Sequence, residues 1–318
     1  MGQSVLGLHH VTAISSDPQR TLEFYTQVLG LRLVKLTVNF DDPSTYHLYF
    51  GDEVGHPGTI LTFFPWPGQP PGRKGSGQLT MTSFSVPNES LGFWKERLAS
   101  HGITVKDAGE RFGEKVLLFS DRDGQGLELI GPVVKEKRAG WANGPVSAQH
   151  AIRGFHSVTL SEQALETTES VLVDTLGFKM VGEEQNRFRY QIGDEAPGAI
   201  VDVVSEPRSP RGFVSVGTVH HLAFRVANDD TQKSLRQEIV DAGLNVTPVI
   251  DRLYFHSIYF REPGGVLFEA ATDPPGFAID EPADRLGSKL MLPPRLESSR
   301  PQIEKMLPSV RLPPRIFA

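Results

Sequence analysis

The apolar positions of this chain fall into short runs of two kinds, and the two kinds alternate. Runs such as HHVTAIS (9–15), LTMTSFSV (79–86), FHSVTLS (155–161) and HHLAFRV (220–226) have the length and the β-branched and aromatic content of strands. Each is followed by apolar positions at helical spacing that stop at a glycine, Gly30, Gly102, Gly177 or Gly243. A helix capped by a residue in the left-handed region ends in that way. FYTQVLGLRLVK (24–35) matches VLVDTLGFKMVG (171–182), and WKERLASHGITVK (94–106) matches LRQEIVDAGLNVT (235–247). Behind the helices come further strand-like runs, among them TYHLYFG, GTILTFFP, KVLLFSD, RFRYQIG, AIVDVVS, HSIYFRE and VLFEAAT. The pattern predicts an α+β fold of four β-α-β-β-β modules forming two barrel-like domains. The first module matches the third best and the second the fourth, as duplication of an already paired unit would leave them. We place the first pair at residues 1–133, a Gly-, Pro- and charge-rich linker at 134–152, and the second pair at 153–277. The Pro-rich tail, 278–318, carries LPPR twice and is expected to wrap the surface without a chemical role.

Composition narrows the function classes. The 318 residues are 39% apolar and 22% charged, enough for a substantial core, with a formal net charge of −6. No basic stripe is present, which argues against a nucleic-acid partner. No apolar run approaches the roughly 20 residues of a membrane helix. The N-terminal MGQSVLGLHH lacks the charged-then-apolar pattern of a signal peptide, so a cytoplasmic globular protein is expected. Homo-oligomerisation is left open. There is no cysteine, so any bound metal is held by nitrogen and oxygen.

Candidate ligands follow from the strand pattern. A strand alternates faces, so one histidine of each doublet is expected to face the hollow of the sheet. In HHLAFRV, His220 shares its face with Leu222, Phe224 and Val226, which should pack on the module's helix; His221 then faces the hollow. In HHVTAIS the same reasoning turns Val11 and Ala13 to the helix, and His10 and Thr12 to the hollow. Glu269 stands in the apolar run VLFEAA, where a carboxylate is costly unless something pairs with it. Two imidazoles and one carboxylate make the facial triad of non-haem Fe(II) sites. A lone strand histidine is ordinarily structural; two doublets at equivalent places, plus a carboxylate on the last strand, carry the metal reading. His156 and Glu128 compete for the same roles. If neighbouring modules share a barrel, the set is His156, His221 and Glu269; if the first closes onto the fourth, it is His10, His221 and Glu269. The doublets favour the second arrangement.

The motifs LHHVT, YHLYFGDEVGHPGTILTFFP, GRKGSGQ, RGFHSVT, HHLAF and DRLYFHSIYFREPGGVLFEAATDPPGF run along nearly the whole chain to about residue 277. With the four modules they resemble the vicinal oxygen chelate superfamily of glyoxalase I, bleomycin-resistance proteins and extradiol dioxygenases, and more narrowly its hydroquinone-type ring-cleaving dioxygenases. The resemblance implies a metal set of His10, His221 and Glu269 holding Fe(II), with Mn(II) accepting the same ligands, and an aromatic diol and O₂ as substrates. It implies pocket roles for His9, Thr12, His220, Arg252 and Tyr259: Tyr259 as hydrogen-bond or proton donor, His220 and His9 in acid–base work, Arg252 at a developing oxyanion, and Thr12 in substrate binding. Two rivals stand beside it. A glyoxalase-like isomerase or lyase normally needs a fourth ligand, and GTILTFFPWP offers no Asp, Glu, Gln or His for it. A metal-free protein sequestering aromatic compounds would leave the triad unexplained.

Overall fold

All four modules form, each in the order β-α-β-β-β. The computed structural model describes residues 4–134, 136–193 and 197–312. The first module holds β1 (Gly7–Ser15), α1 (Pro18–Glu23), β2 (Arg32–Val38), β3 (Tyr46–Gly51) and β4 (Ile60–Pro65). The second holds β5 (Gln78–Ser85), α2 (Leu91–Ser100), β6 (Lys106–Arg111), β7 (Glu114–Ser120) and β8 (Gly126–Gly131). The third holds β9 (Phe155–Glu162), α3 (Leu165–Ser170), β10 (Lys179–Glu184), β11 (Arg187–Gln191) and β12 (Ile200–Ser205). The fourth holds β13 (Val219–Val226), α4 (Asp229–Asp241), β14 (Ile250–Asp251), β15 (Phe255–Arg261) and β16 (Leu267–Pro275). The four glycines after the helices have φ of 71°, 72°, 78° and 77°, the left-handed cap that the sequence pattern demanded. α1 and α3 each run on into a single wide π-turn, Phe24–Val28 and Val171–Thr175.

The strands join in two eight-stranded sheets, ordered β14-β15-β16-β13-β1-β4-β3-β2 and β10-β11-β12-β9-β5-β8-β7-β6. The first module therefore closes onto the fourth, and the second onto the third. Residues 1–133 and 153–277 describe how modules follow one another in the chain, while each sheet takes one module from each half. In every module the first strand runs parallel to the last, and the two modules of a sheet meet antiparallel, at β1·β13 and β5·β9. That arrangement gives each sheet an approximate two-fold axis through its centre.

The helices bury one face against the sheets, as amphipathic helices must. From α1 and its π-turn come Leu22, Phe24, Tyr25 and Val28, and from α4 Leu235 and Ile239. Each such side chain stabilises by roughly 1.5–3 kcal/mol when fully buried. Asp17 and Asn228 cap the two helices by accepting from the amides of Arg20 at 2.7 Å and Thr231 at 3.0 Å.

The tail is more than a surface wrap. It lies along β2, with the Met291 amide donating to the Leu36 carbonyl at 2.9 Å. Lys35 of β2 is fully buried, with its ammonium 2.5 Å from Asp280 and 2.6 Å from Glu281. Phe277 and Leu286 are buried in the same seam. The second LPPR, beyond Leu312, lies outside the described residues. No helix among the described residues is long and apolar enough to cross a membrane.

Candidate metal centre

The rule of alternating faces fails at both histidine doublets, and the register explains why. Along β1·β13, Leu8 pairs with Phe224 and His10 with Ala223, so His9 is an extra residue; Thr12 pairs with His221 and Ala13 with Val219, so His220 is another. Each doublet contains a β-bulge, which interrupts the pleat and re-aims a side chain. Both histidines of a doublet consequently sit together: Nδ1 of His9 lies 3.0 Å from Nδ1 of His10, and Nδ1 of His220 lies 2.8 Å from Nδ1 of His221. His10 and His221 join one group and line the cavity; His220 also lines it, while His9 stands behind. One in each doublet turns its Nε2 to the other, with His10 and His221 Nε2 atoms 3.2 Å apart.

Glu269 completes the group from β16, where the ladder sets it beside Ala223 of β13 and Tyr259 of β15. It is fully buried. Its Oε1 accepts from Ser257 Oγ at 2.5 Å, and its Oε2 lies 3.3 Å from His10 Nε2 and 3.0 Å from His221 Nε2. Oε2 has no hydrogen-bond partner among the described residues. A buried carboxylate oxygen without a donor calls for a cation.

The spacing fits one. Nitrogen and oxygen donors about 2.1 Å from an ion and at right angles stand about 3 Å apart. His10, His221 and Glu269 are the one such group of histidine and acidic ligands among the described residues. Their support is also built in. His9 bonds to the Thr272 backbone, which raises its affinity for a proton, but burial dominates and pushes it down to about 3, keeping it neutral. With that N–H engaged, His9 Nδ1 accepts from His10 Nδ1–H, and the lone pair of His10 Nε2 is left for the centre. This tautomer is assigned from the hydrogen bonds, in the manner of outer-shell partners that orient metal ligands. Burial likewise holds His220 down, to about 3.

The centre forms the floor of a cavity of about 420 Å³. His10, His220, His221, Arg252 and Tyr259 line it; His9 and Thr12 do not. Tyr259 OH accepts from Arg252 Nε at 3.2 Å, so its own proton stays available, and burial raises the phenol, keeping it protonated. Arg252 Nη1 donates to Asp41 at 2.9 Å. Thr12 Oγ1 bonds Thr62 Oγ1 at 2.8 Å, behind the wall.

Several wall residues escaped the sequence reading. His47 bonds Thr62 Oγ1 through Nε2 and Tyr49 OH through Nδ1, both at 2.8 Å, and Phe64 and Trp66 extend the wall. The internal symmetry held the signal: Tyr49 pairs with Thr62 as Tyr259 pairs with Glu269, so His47 corresponds to Ser257 and Thr62 to Glu269.

Among the described residues, the second sheet has no such centre. His156 is the skipped residue of β9, between Ser157 paired with Ser83 and Phe155 paired with Phe84. It therefore corresponds to His9 and His220, not to His10 and His221, and bonds Glu114 at 3.0 Å. Met81 and Ser157 occupy the ligand positions. Glu128 is taken by the Arg111 fork at 2.9 and 3.0 Å, and Asp202 by Arg187 at 3.1 Å and Arg189 at 2.8 Å.

Comparison with known proteins agrees with this architecture. The family model described as "Glyoxalase/Bleomycin resistance protein/Dioxygenase superfamily" matches residues 7–129 and 154–270. The Bacillus subtilis protein named "Putative ring-cleaving dioxygenase MhqO" is 46% identical over 307 residues, covering 96% of this chain and 97% of that protein. The Sphingobium indicum chlorohydroquinone/hydroquinone 1,2-dioxygenase is 37% identical over 309 residues, covering 95% of each. A crystal structure of a "putative dioxygenase" from Bacillus subtilis superposes with a TM-score of 0.93 at 45% identity, over 98% of this chain and 99% of that one.

Proposed function

Since the chain belongs to the glyoxalase/bleomycin resistance protein/dioxygenase superfamily, we propose that it is a ring-cleaving dioxygenase that opens hydroquinone-type aromatic rings with O₂, using Fe(II) held by His10, His221 and Glu269. The observation that carries this reading is the convergence of those three donors on the floor of an aromatic-walled cavity, with a protonated tyrosine and an arginine above them. Full-length likeness to a chlorohydroquinone/hydroquinone 1,2-dioxygenase supports the substrate class. Fe(II) supplies electron transfer between ring and oxygen and a template for both; Mn(II) suits the same donors.

The chain's own residues do the rest. The aromatic walls, Phe64, Trp66 and Phe255, take up the ring and exclude water, so the buried charges act at low dielectric. Arg252 stabilises negative charge as a ring hydroxyl loses its proton. Tyr259, polarised by Arg252 Nε, offers its proton to oxygen at the reacting ring edge. His9 and His220 have a positioning role: each is held neutral and each fixes the Nδ1 side of a ligand imidazole. Thr12 also acts at one remove, through Thr62.

Thr62 further separates this reading from the isomerase one. It sits where a fourth ligand would stand, and it is bonded to both Thr12 and His47. The decisive experiment strips the metal, reloads Fe(II) or Mn(II) anaerobically, and records oxygen uptake on hydroquinone. One O₂ consumed per ring opened, with both atoms in the product, is expected. Methylglyoxal–glutathione turnover without oxygen uptake, or tight aromatic binding by metal-free protein without turnover, would overturn it.

A further inference from the structure

We propose that Asp41 is a specificity-determining residue that restricts the cavity to aromatic diols without an anionic substituent. The inference rests on the reading above and deepens it. Arg252 is the single Lys or Arg among the described residues lining the cavity, so a carboxylate on the substrate ring would be drawn there. Its Nε is engaged with Tyr259 and its Nη1 with Asp41, while Nη2 has no protein partner among the described residues. A free terminal nitrogen on a lone cation would otherwise be a carboxylate anchor.

Asp41 changes the character of that anchor. It comes from the β2–β3 loop of the first module and reaches Arg252, just before β15 in the fourth, across the mouth of the cavity. The loop is tied to itself: the Asp41 amide donates to Asn39 Oδ1 at 3.0 Å, and the Asn39 amide to the Thr45 carbonyl at 2.8 Å. The side chain of Asp41 is 68% exposed, so its ion pair adds little to folding. What it does instead is set a carboxylate on the rim beside the one cationic side chain lining the cavity among the described residues. A carboxylated ring meets like charge at the rim and an arginine already half neutralised. A neutral hydroquinone meets neither cost, because its recognition comes from the aromatic walls.

The test compares hydroquinone with 2,5-dihydroxybenzoate, the same ring bearing a carboxylate. Iron-loaded wild type, Asp41→Asn and Asp41→Glu are assayed by oxygen uptake, and anaerobic binding of both compounds is titrated by calorimetry. In Asp41→Asn the preference for hydroquinone, as a ratio of kcat/KM, should fall about tenfold, the order expected for one like charge at close range in a partly solvated site. The change should appear in KM and in affinity for the carboxylated ring more than in kcat. Asp41→Glu should keep the wild-type preference. A preference within twofold of wild type in Asp41→Asn, or an equal shift in Asp41→Glu, overturns the proposal. Wild-type protein that binds hydroquinone but never opens it would instead refute the dioxygenase reading, and the binding titrations would still decide the role of Asp41.

Discussion

The two sheets of this protein have the same strand order, the same parallel and antiparallel pairings and bulges at the same places, yet among the described residues only one of them brings together a metal-ligand group. In the first, the equivalent positions carry His10, His221, Glu269 and Thr62; in the second, Met81, Ser157, Asp202 and Glu128. Carboxylates are not what distinguishes them, since the second has more. The difference lies in what faces those carboxylates. Arg111, Arg187 and Arg189 reach into the second sheet and occupy the oxygens of Glu128, Asp202 and Glu114. In the first, Glu269 Oε2 is left without a hydrogen-bond partner, facing two imidazole nitrogens. One sheet satisfies its buried charge internally, and the other leaves it to be satisfied by something bound. A fold repeated within one chain thus supports two outcomes, decided by a few side chains in register.

The comparison breaks most easily at the ligands. His10→Ala, His221→Ala and Glu269→Ala should each weaken metal binding by more than about 10²-fold, beyond the loss that outer-shell changes produce, whereas His156→Ala should retain the metal. Metal content after desalting measures this, and retention by His10→Ala together with loss by His156→Ala would reverse the roles of the sheets. In the second sheet the expected damage is to folding. Arg189→Ala leaves Asp202 and Glu114 short of a buried partner and should cost about 3–5 kcal/mol in denaturant unfolding, with metal affinity unchanged in the protein that folds.

Tyr259→Phe sharpens the contrast within the first sheet. As a donor its hydroxyl is worth about 10²-fold in turnover; as packing alone its loss would cost only about 1 kcal/mol of a hydrogen bond. Oxygen uptake at saturating hydroquinone within threefold of wild type would remove it from the mechanism. The smallest effect is on acid stability. Burial works to raise Glu114, but His156 and Arg189 prevail and hold it down to about 2, against 4.5 when unfolded. A depressed carboxyl contributes stability above its unfolded value and loses it as the pH falls towards the folded one, so the loss should run from about pH 5 down to 2. Roughly 1 kcal/mol should be gone by pH 3.5. Chemical denaturation of wild type and Glu114→Gln across that range checks it: the variant's stability should vary less with pH.

Much of this was legible without a structure. Helix-ending glycines and apolar periodicity marked all four modules, and a carboxylate in VLFEAA marked Glu269, because burying an unpaired charge is costly enough to be informative. The paired HH motifs pointed to His10 and His221. The bulges were not legible: alternation assumes an unbroken pleat, and nothing in HHVT says that one residue is extra. His47 and Asp41 were missed for another reason. One looks like an ordinary polar residue within a strand and the other like an ordinary loop acid, and each matters only through a partner, Thr62 or Arg252, brought to it by the fold. The tail was read as inert because Pro-rich composition says nothing of the buried Lys35 waiting for Asp280 and Glu281.

Local pattern alone determined the elements of this protein, their repetition and the kind of atoms available to hold a metal, since periodicity and composition act over neighbouring residues. Which modules share a sheet was decided only in three dimensions. The histidine doublets favoured closing the first module onto the fourth, and edge-to-edge hydrogen bonding between β1 and β13, strands some two hundred residues apart, is what makes that pairing. That one long-range contact puts His10 beside His221 and sends His156 to the other sheet, where it meets Glu114 instead.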